Sequence, residues 1–144
     1  MTTAKQGFLG EKSIAVVGVS RSSGFGNLAF RELKKQGYQV YPVNNQADTV
    51  EGEKCYHSLD ELPGPVGGVL VVVPKAEARK VAEDCARLGI KKVWLQHGSE
   101  SPEAIKLCEE KGVSAAHHAC VMMYAHPKGL HAFHRFVWKV VGKL

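Results

Sequence analysis

The chain has 144 residues, 44% hydrophobic and 23% charged, the balance of one ordinary globular domain over residues 1–144 that buries a core without staples. Its formal net charge of +5, with seven histidines counted neutral, favours an anionic partner in a general way. The Lys and Arg are scattered and carry no RNA-binding motif, and no apolar run approaches the ~20 residues that span a bilayer, so neither nucleic acid nor membrane is expected as a partner.

The opening "MTTAKQGFLGEK" lacks a secretory apolar region, and a cytoplasmic location is expected. Residues 13 to 19, "SIAVVGV", form a continuous apolar run that predicts a buried parallel strand. The next stretch, "GVSRSSGFGN" (18–27), has the look of a phosphate-holding loop. Gly18 permits a tight turn, the small residues permit close backbone approach, and the N–H groups of the following helix start can receive a phosphate. Ser20, Ser22 and Ser23 add hydroxyls and Arg21 a mobile cation. The spelling is not G-x-G-x-x-G: Ser20 and Ser23 stand where glycines belong, and Gly24 and Gly26 come late.

A helix is expected over 27–36, with Ala29, Phe30 and Leu33 on its inner face and Gly37 as its stop. "YQVYPVN" (38–44) predicts a second strand, broken near its end by Pro42. A dinucleotide site usually places Asp or Glu here to hold the ribose 2′-hydroxyl. This chain has the neutral Asn44 and Asn45, which disfavours NAD, and no arginine at hand supports NADP. Around "KCYHSL" a short third strand at most is expected, then a turn-rich segment.

"GVLVVVP" (68–74) is the strongest buried strand, followed by a helix over about 75–88 with Ala78, Val81, Ala82 and Cys85 on one face. Val73 and Pro74 are candidate apolar walls for an adenine, with Lys75 at the helix start. "KKVWLQ" (91–96) is the next strand, and Gln96, His97 and Gly98 lie at its end. "SPE" (101–103) starts a helix, with Ser101 as cap and Pro102 in its first turn; Gly112 closes it. "VSAAH" is the last strand, and a final amphipathic helix over about 128–143 is expected to pack on its own domain, on a second copy of the chain, or on a protein partner.

Cys55, Cys85, Cys108 and Cys120 are widely spaced, which argues against a zinc cage. Cys85 and Cys108 read as buried free thiols. Cys120 lies at a strand end near the expected cleft, where a ligand-touching thiol belongs. Five histidines fall in "HHACVMMYAHPKGLHAFHR", but no acidic residue accompanies them, and no metal site is expected. No nucleophile motif surrounds His97, and no catalytic residue is assigned.

Alternating strands and helices predict an α/β fold: a Rossmann-like three-layer sandwich, mainly parallel, with helices on both faces and the ligand at the carboxyl ends of the strands. Taken in order, "IAVVGVSRSS", "GYQVYPVN", "GEKCYHSLDELP", "VVVPK", "KKVWLQHG" and "ACVMM" resemble the small CoA-binding domain proteins, relatives of the N-terminal domain of the succinyl-CoA synthetase α subunit. The likeness covers roughly residues 12–124. It implies CoA as the cofactor, its pyrophosphate wrapped by the loop from Gly18 and Val19 through Ser20, Arg21, Ser22, Ser23, Gly24 and Gly26 to Asn27. Pro42, Val43 and Asn44 then border the nucleotide, Val73, Pro74 and Lys75 flank the adenine, and Gln96, His97 and Gly98 lie along the pantetheine. Cys120 matches the family's late cysteine, although Ala119 stands where an arginine is frequent. The synthetase's chemistry uses a phosphorylated histidine in a second domain and a further subunit, and this chain is too short for either. A non-catalytic module that binds CoA or an acyl-CoA is therefore the expectation. The alternative is a nicotinamide-dependent enzyme or a thiol enzyme using Cys120.

Overall fold

The computed structural model describes residues 4–22, 24–96 and 98–119. Ser23, His97, Cys120 and the expected helix over 128–143 lie outside the described residues.

The first described element is a short helix, α1 (Ala4–Leu9), which sequence patterning did not suggest. Its Phe8 is fully buried and meets Trp94 edge to face, ring centroids 5.6 Å apart. Next come β1 (Ser13–Val17), α2 (Phe25–Lys35) and β2 (Gln39–Val43). A hairpin follows, β3 (Thr49–Val50) and β4 (Glu53–Lys54), then a single 3-10 turn at Leu59–Glu61. The second half repeats strand and helix: β5 (Gly68–Val71), α3 (Lys75–Arg87), β6 (Lys92–Gln96), α4 (Pro102–Lys111) and β7 (Ser114–Ala119).

Five strands form one parallel sheet in the order β2-β1-β5-β6-β7. Each central strand is apolar on both faces because both faces are covered. Ile14, Val16, Leu70 and Trp94 point to one side, where Phe8 of α1 and Phe30 and Leu33 of α2 pack on them. Ala15, Val69, Val71, Val93 and Leu95 point to the other, against Ala78, Ala82 and Cys85 of α3 and Ala104 and Cys108 of α4. The Rossmann-like three-layer arrangement is as the alternation predicts. Among the described residues no helix is long and apolar enough to cross a membrane.

The differences from expectation are local. β1 and β5 end at Val17 and Val71, two and three residues early, because the chain turns at Gly18 (φ +122°) and bends through Val72–Pro74 into α3. α2 starts two residues sooner, at Phe25. Pro42 does not break β2 but sits inside it. β2 is an edge strand, and the Pro42 carbonyl accepts from the Tyr56 N–H (3.0 Å) on the outer side, so the missing proline N–H removes no bond to β1. The cap residues of α4 behave as read: Ser101 Oγ accepts from the Ala104 N–H at 3.1 Å, and Gly112 ends the helix at φ +74°.

Candidate functional site

Strand order reverses between β1 and β5: the chain proceeds from β1 to β2 on one side and from β5 to β6 and β7 on the other. In a parallel sheet this reversal leaves a crevice outside the carboxyl ends of the two strands, because the connections leave in opposite directions. A cleft of about 510 Å³ lies there. Val17, Gly18, Val43, Val72 and Val73 from the strand ends line it, with Asn44, Asn45 and residues 57–59 on one side. The first turns of α3 close the other side, with Ala76, Glu77, Lys80, Val81 and Asp84.

Two glycines set the path of the loop at its edge. A Cβ on Gly18 would fall 1.9 Å from the Val72 carbonyl oxygen, and one on Gly26 would fall 2.5 Å from the Gly18 carbonyl oxygen. The loop therefore packs backbone on backbone, against β5 on one side and against the first turn of α2 on the other. Gly24, at φ +152°, stands at the cap position of α2 and brings no side chain to the first N–H groups of that helix.

Polar side chains fasten the loop. Asn44 Nδ2 donates to the Val19 carbonyl at 2.7 Å, while its Oδ1 accepts from the N–H groups of Gln46 (2.8 Å) and Ala47 (3.0 Å). Asn27, buried to 1% exposure, grips Ser20 from both sides: Oδ1 accepts from the Ser20 N–H at 2.7 Å and Nδ2 donates to its carbonyl at 2.8 Å. The Ser22 N–H donates to Ser20 Oγ at 3.2 Å. The backbone N–H groups of Ser20 and Ser22 thus have partners within the loop. Arg21, on the same loop, is exposed.

The β5 side is fixed by a residue that sequence reading passed over. Ser99 Oγ accepts from the Val73 N–H at 3.0 Å and donates to the Val73 carbonyl at 2.6 Å, tying the turn after β6 to the turn after β5. Gln96 is buried at the end of β6, and Gly98, at φ +97°, turns the chain so that Ser99 N–H reaches the Gln96 carbonyl at 2.7 Å. Pro74 precedes α3 as its cap and Lys75 begins the helix, exposed.

Charge is mixed around the opening. Lys80 Nζ lies 3.1 Å from Asp84 Oδ1, and His57 lies between Asp48 (2.9 Å) and Glu61 (3.9 Å). Glu51, on the hairpin tip, reaches back to α2: its Oε2 accepts from Asn27 Nδ2 at 2.9 Å, and Arg31 Nη1 lies 3.0 and 3.1 Å from its two oxygens. Hydrogen bonds from Asn27 and Arg31 hold its carboxyl below the usual glutamate range. The end of β2 is free of acids, as read, but an acid from later in the chain stands beside the loop.

Gly18, Val43, Asn44, Val73 and Pro74 line the cleft together. Val19, Ser20, Arg21, Ser22, Gly24, Gly26 and Asn27 form the loop at its β1 edge, and Pro42 precedes the β2 wall within the strand. Gln96 and Gly98 sit one strand over, behind Ser99. Ser23, His97 and Cys120 fall outside the described residues. Missed by sequence reasoning were Glu51, Arg31, His57, Lys80, Asp84 and Ser99; only the i,i+4 spacing of Lys80 and Asp84 carried a local signal. Among the described residues no cluster of His, Cys, Asp and Glu is arranged to hold a metal ion.

Comparison with known proteins matches residues 12–126 to the family model of the CoA binding domain. The chain is 36% identical over 114 residues to the Pyrococcus furiosus acetate–CoA ligase [ADP-forming] II subunit alpha, covering 76% of this chain and 25% of that subunit. It thus spans about a quarter of that relative's length. The Bacillus subtilis protein YneT is 32% identical over 111 residues, covering 76% of this chain and 82% of YneT. A solved structure of a conserved hypothetical protein from Pyrococcus furiosus superposes with a TM-score of 0.73 at 38% identity, over 78% of this chain and 97% of that one.

Proposed function

Because this chain belongs to the CoA binding domain family, we propose that it is a non-catalytic module that takes up CoA or an acyl-CoA in the cleft at the strand reversal. The observation that carries this reading is the pairing of that apolar-floored cleft with an α2 N-terminus that has glycine at its cap and follows the backbone-packed loop from Gly18. The pyrophosphate lies at the loop and the α2 N-terminus, where N–H groups and the helix dipole favour negative charge. The adenine lies against Val73 and Pro74, and the pantetheine runs toward residues 96–98. Arg21 and Lys75, both exposed cations near the cleft, are the groups for the ribose 3′-phosphate. Similarity to a ligase subunit does not bring the ligase activity with it, since the shared segment is a quarter of that subunit.

Calorimetric titration with CoA, with dephospho-CoA, NAD and NADP beside it, tests the reading. Binding of CoA tighter than about 1 mM, with dephospho-CoA distinctly weaker, supports it. Binding of NAD or NADP without CoA overturns it in favour of a nicotinamide-dependent enzyme.

A further inference from the structure

We propose that Glu51 is a positioning residue for the 18–27 loop, holding Asn27 in the single amide orientation that clamps Ser20; the effect on ligand affinity rests on the CoA reading above. The Asn27 amide has three partners. Oδ1 accepts from the Ser20 N–H (2.7 Å), and Nδ2 donates both its hydrogens, one to the Ser20 carbonyl (2.8 Å) and one to Glu51 Oε2 (2.9 Å). Flipping that amide would set its oxygen against two acceptors and its NH₂ against an N–H. The carboxylate accepts only, so it favours the same orientation that the Ser20 carbonyl does, at a residue that is itself 1% exposed. Arg31 aims the carboxylate by contacting both of its oxygens and neutralises its charge. An acid is thereby tolerated beside a loop meant for phosphate.

The backbone at Glu51 supports the same conclusion from another direction. Glu51 (φ +54°) and Gly52 (φ +77°) are the two central residues of the β3–β4 hairpin, both left-handed. Two-residue loops of this kind favour Asn, Asp or Gly, whose side chains or lack of one tolerate φ > 0. Glu51 is the one non-glycine with positive φ among the described residues. The turn does not ask for glutamate. The reach of its side chain to α2 does, since Asn and Asp are one methylene shorter.

This separates positioning from folding. Glu51→Asn suits the turn but cannot span to Asn27 and Arg31, whereas Glu51→Gln keeps the reach and an acceptor for Nδ2. Calorimetric CoA titration and thermal unfolding of both variants, with hydrogen exchange of the Ser20 amide, read the difference. Glu51→Asn is expected to shift the melting temperature little, the relieved turn offsetting the lost bonds to Asn27 and Arg31, to weaken CoA about five- to tenfold and to speed Ser20 exchange about tenfold. Glu51→Gln is expected to stay within about threefold of the parent in affinity and exchange. Unchanged affinity and unchanged Ser20 exchange in Glu51→Asn overturn the proposal. If the parent protein itself binds no CoA, the CoA reading fails, and the Ser20 exchange rate alone decides whether Glu51 sets the loop.

Discussion

The carbonyl oxygen of Val72 stands 1.9 Å from the point a Cβ on Gly18 would occupy, so the turn out of β1 is pressed against the turn out of β5 with no room for a side chain. The contact joins the two strands between which the sheet order reverses. Replacing Gly18 with alanine collides with backbone, which cannot rotate away, and does so at φ +122°, where L residues are strained. We expect Gly18→Ala to cost about 2–4 kcal/mol of stability and to abolish CoA binding, read by denaturant unfolding and calorimetry. Gly37→Ala, at φ +100° with nothing within 4 Å of the new Cβ, is the control: about 1 kcal/mol from backbone strain and normal binding.

Asn44 supports the opposite wall of the cleft. Its side chain makes three hydrogen bonds, one to the Val19 carbonyl and two from the N–H groups of Gln46 and Ala47. Asn44→Ala leaves all three backbone groups without that partner and is expected to destabilise by about 1–3 kcal/mol. Asn44→Asp keeps the acceptor for Gln46 and Ala47 but turns a carboxylate oxygen toward the Val19 carbonyl. Its expected binding defect exceeds its stability defect, because the new charge faces the ligand's phosphates as well. Thermal unfolding and CoA titration on the two variants distinguish these effects.

The elements with a strong period were legible in the sequence, and so was the cleft at the strand ends. Apolar runs gave β1 and β5, the spacing of Ala78, Val81, Ala82 and Cys85 gave α3, and Ser101 and Gly112 marked the ends of α4. Alternation of these elements then required a parallel sheet with a crevice at its strand ends. What stayed hidden depends on contacts distant in sequence. Phe8 reads as part of a nondescript leader until Trp94 covers it, 86 residues later. Glu51 and Asn27 are 24 apart and Ser99 and Val73 are 26 apart; neither pair leaves a periodic trace. Residue type alone marked the loop serines as hydroxyl donors, whereas the Asn27 clamp on the Ser20 backbone left no trace in the sequence.

Ser99 gives a third test. It is 4% exposed and both donates to and accepts from Val73, so it stands in for a ladder partner where β5 has already ended. Ser99→Ala leaves the half-buried Val73 N–H and carbonyl without that partner and is expected to cost about 1–2 kcal/mol. Since Val73 lines the cleft, the variant is also expected to weaken CoA, whereas the exposed Ser114→Ala leaves affinity unchanged. Equal affinity in both variants would separate the Val73 turn from the ligand.

Acid is expected to act through Glu51 and Asp60. Both carboxyls are held below their ordinary values, Glu51 by Asn27 and Arg31, Asp60 chiefly by Arg87, whose guanidinium meets its two oxygens at 2.8 and 3.0 Å. A carboxyl whose pKa is lower in the folded chain contributes stability that is complete above its unfolded value, near pH 4, and lost as pH falls through the folded value. Melting temperature is thus expected to be insensitive to these groups from pH 7 to about 5 and to fall below about pH 4. In Glu51→Gln the acid-side decline is shallower. An identical decline in parent and variant would show that Glu51 does not change its proton affinity on folding.

Alkali is expected to act through the buried thiols. Cys85 and Cys108 lie in the α3–α4 layer, and burial pushes their thiols up to about 12 and about 11; Cys55, also buried, is raised as well. Thiolate is the nucleophilic form, so at neutral pH these three are expected to resist iodoacetamide in the native protein and to label fully once it is unfolded. The linkage has the opposite sign to that of the carboxyls. The unfolded chain ionises its thiols near pH 8.5 while the folded chain holds its protons, so stability is complete below that value and declines as pH rises toward the folded values. Cys85→Ala removes one of these contributions and is expected to flatten the alkaline loss between about pH 9 and 11, at a cavity cost of about 1–2 kcal/mol at neutral pH. Rapid native labelling of Cys85 or Cys108, located by peptide mass mapping, would show that the α3–α4 layer opens locally well below the cost of global unfolding.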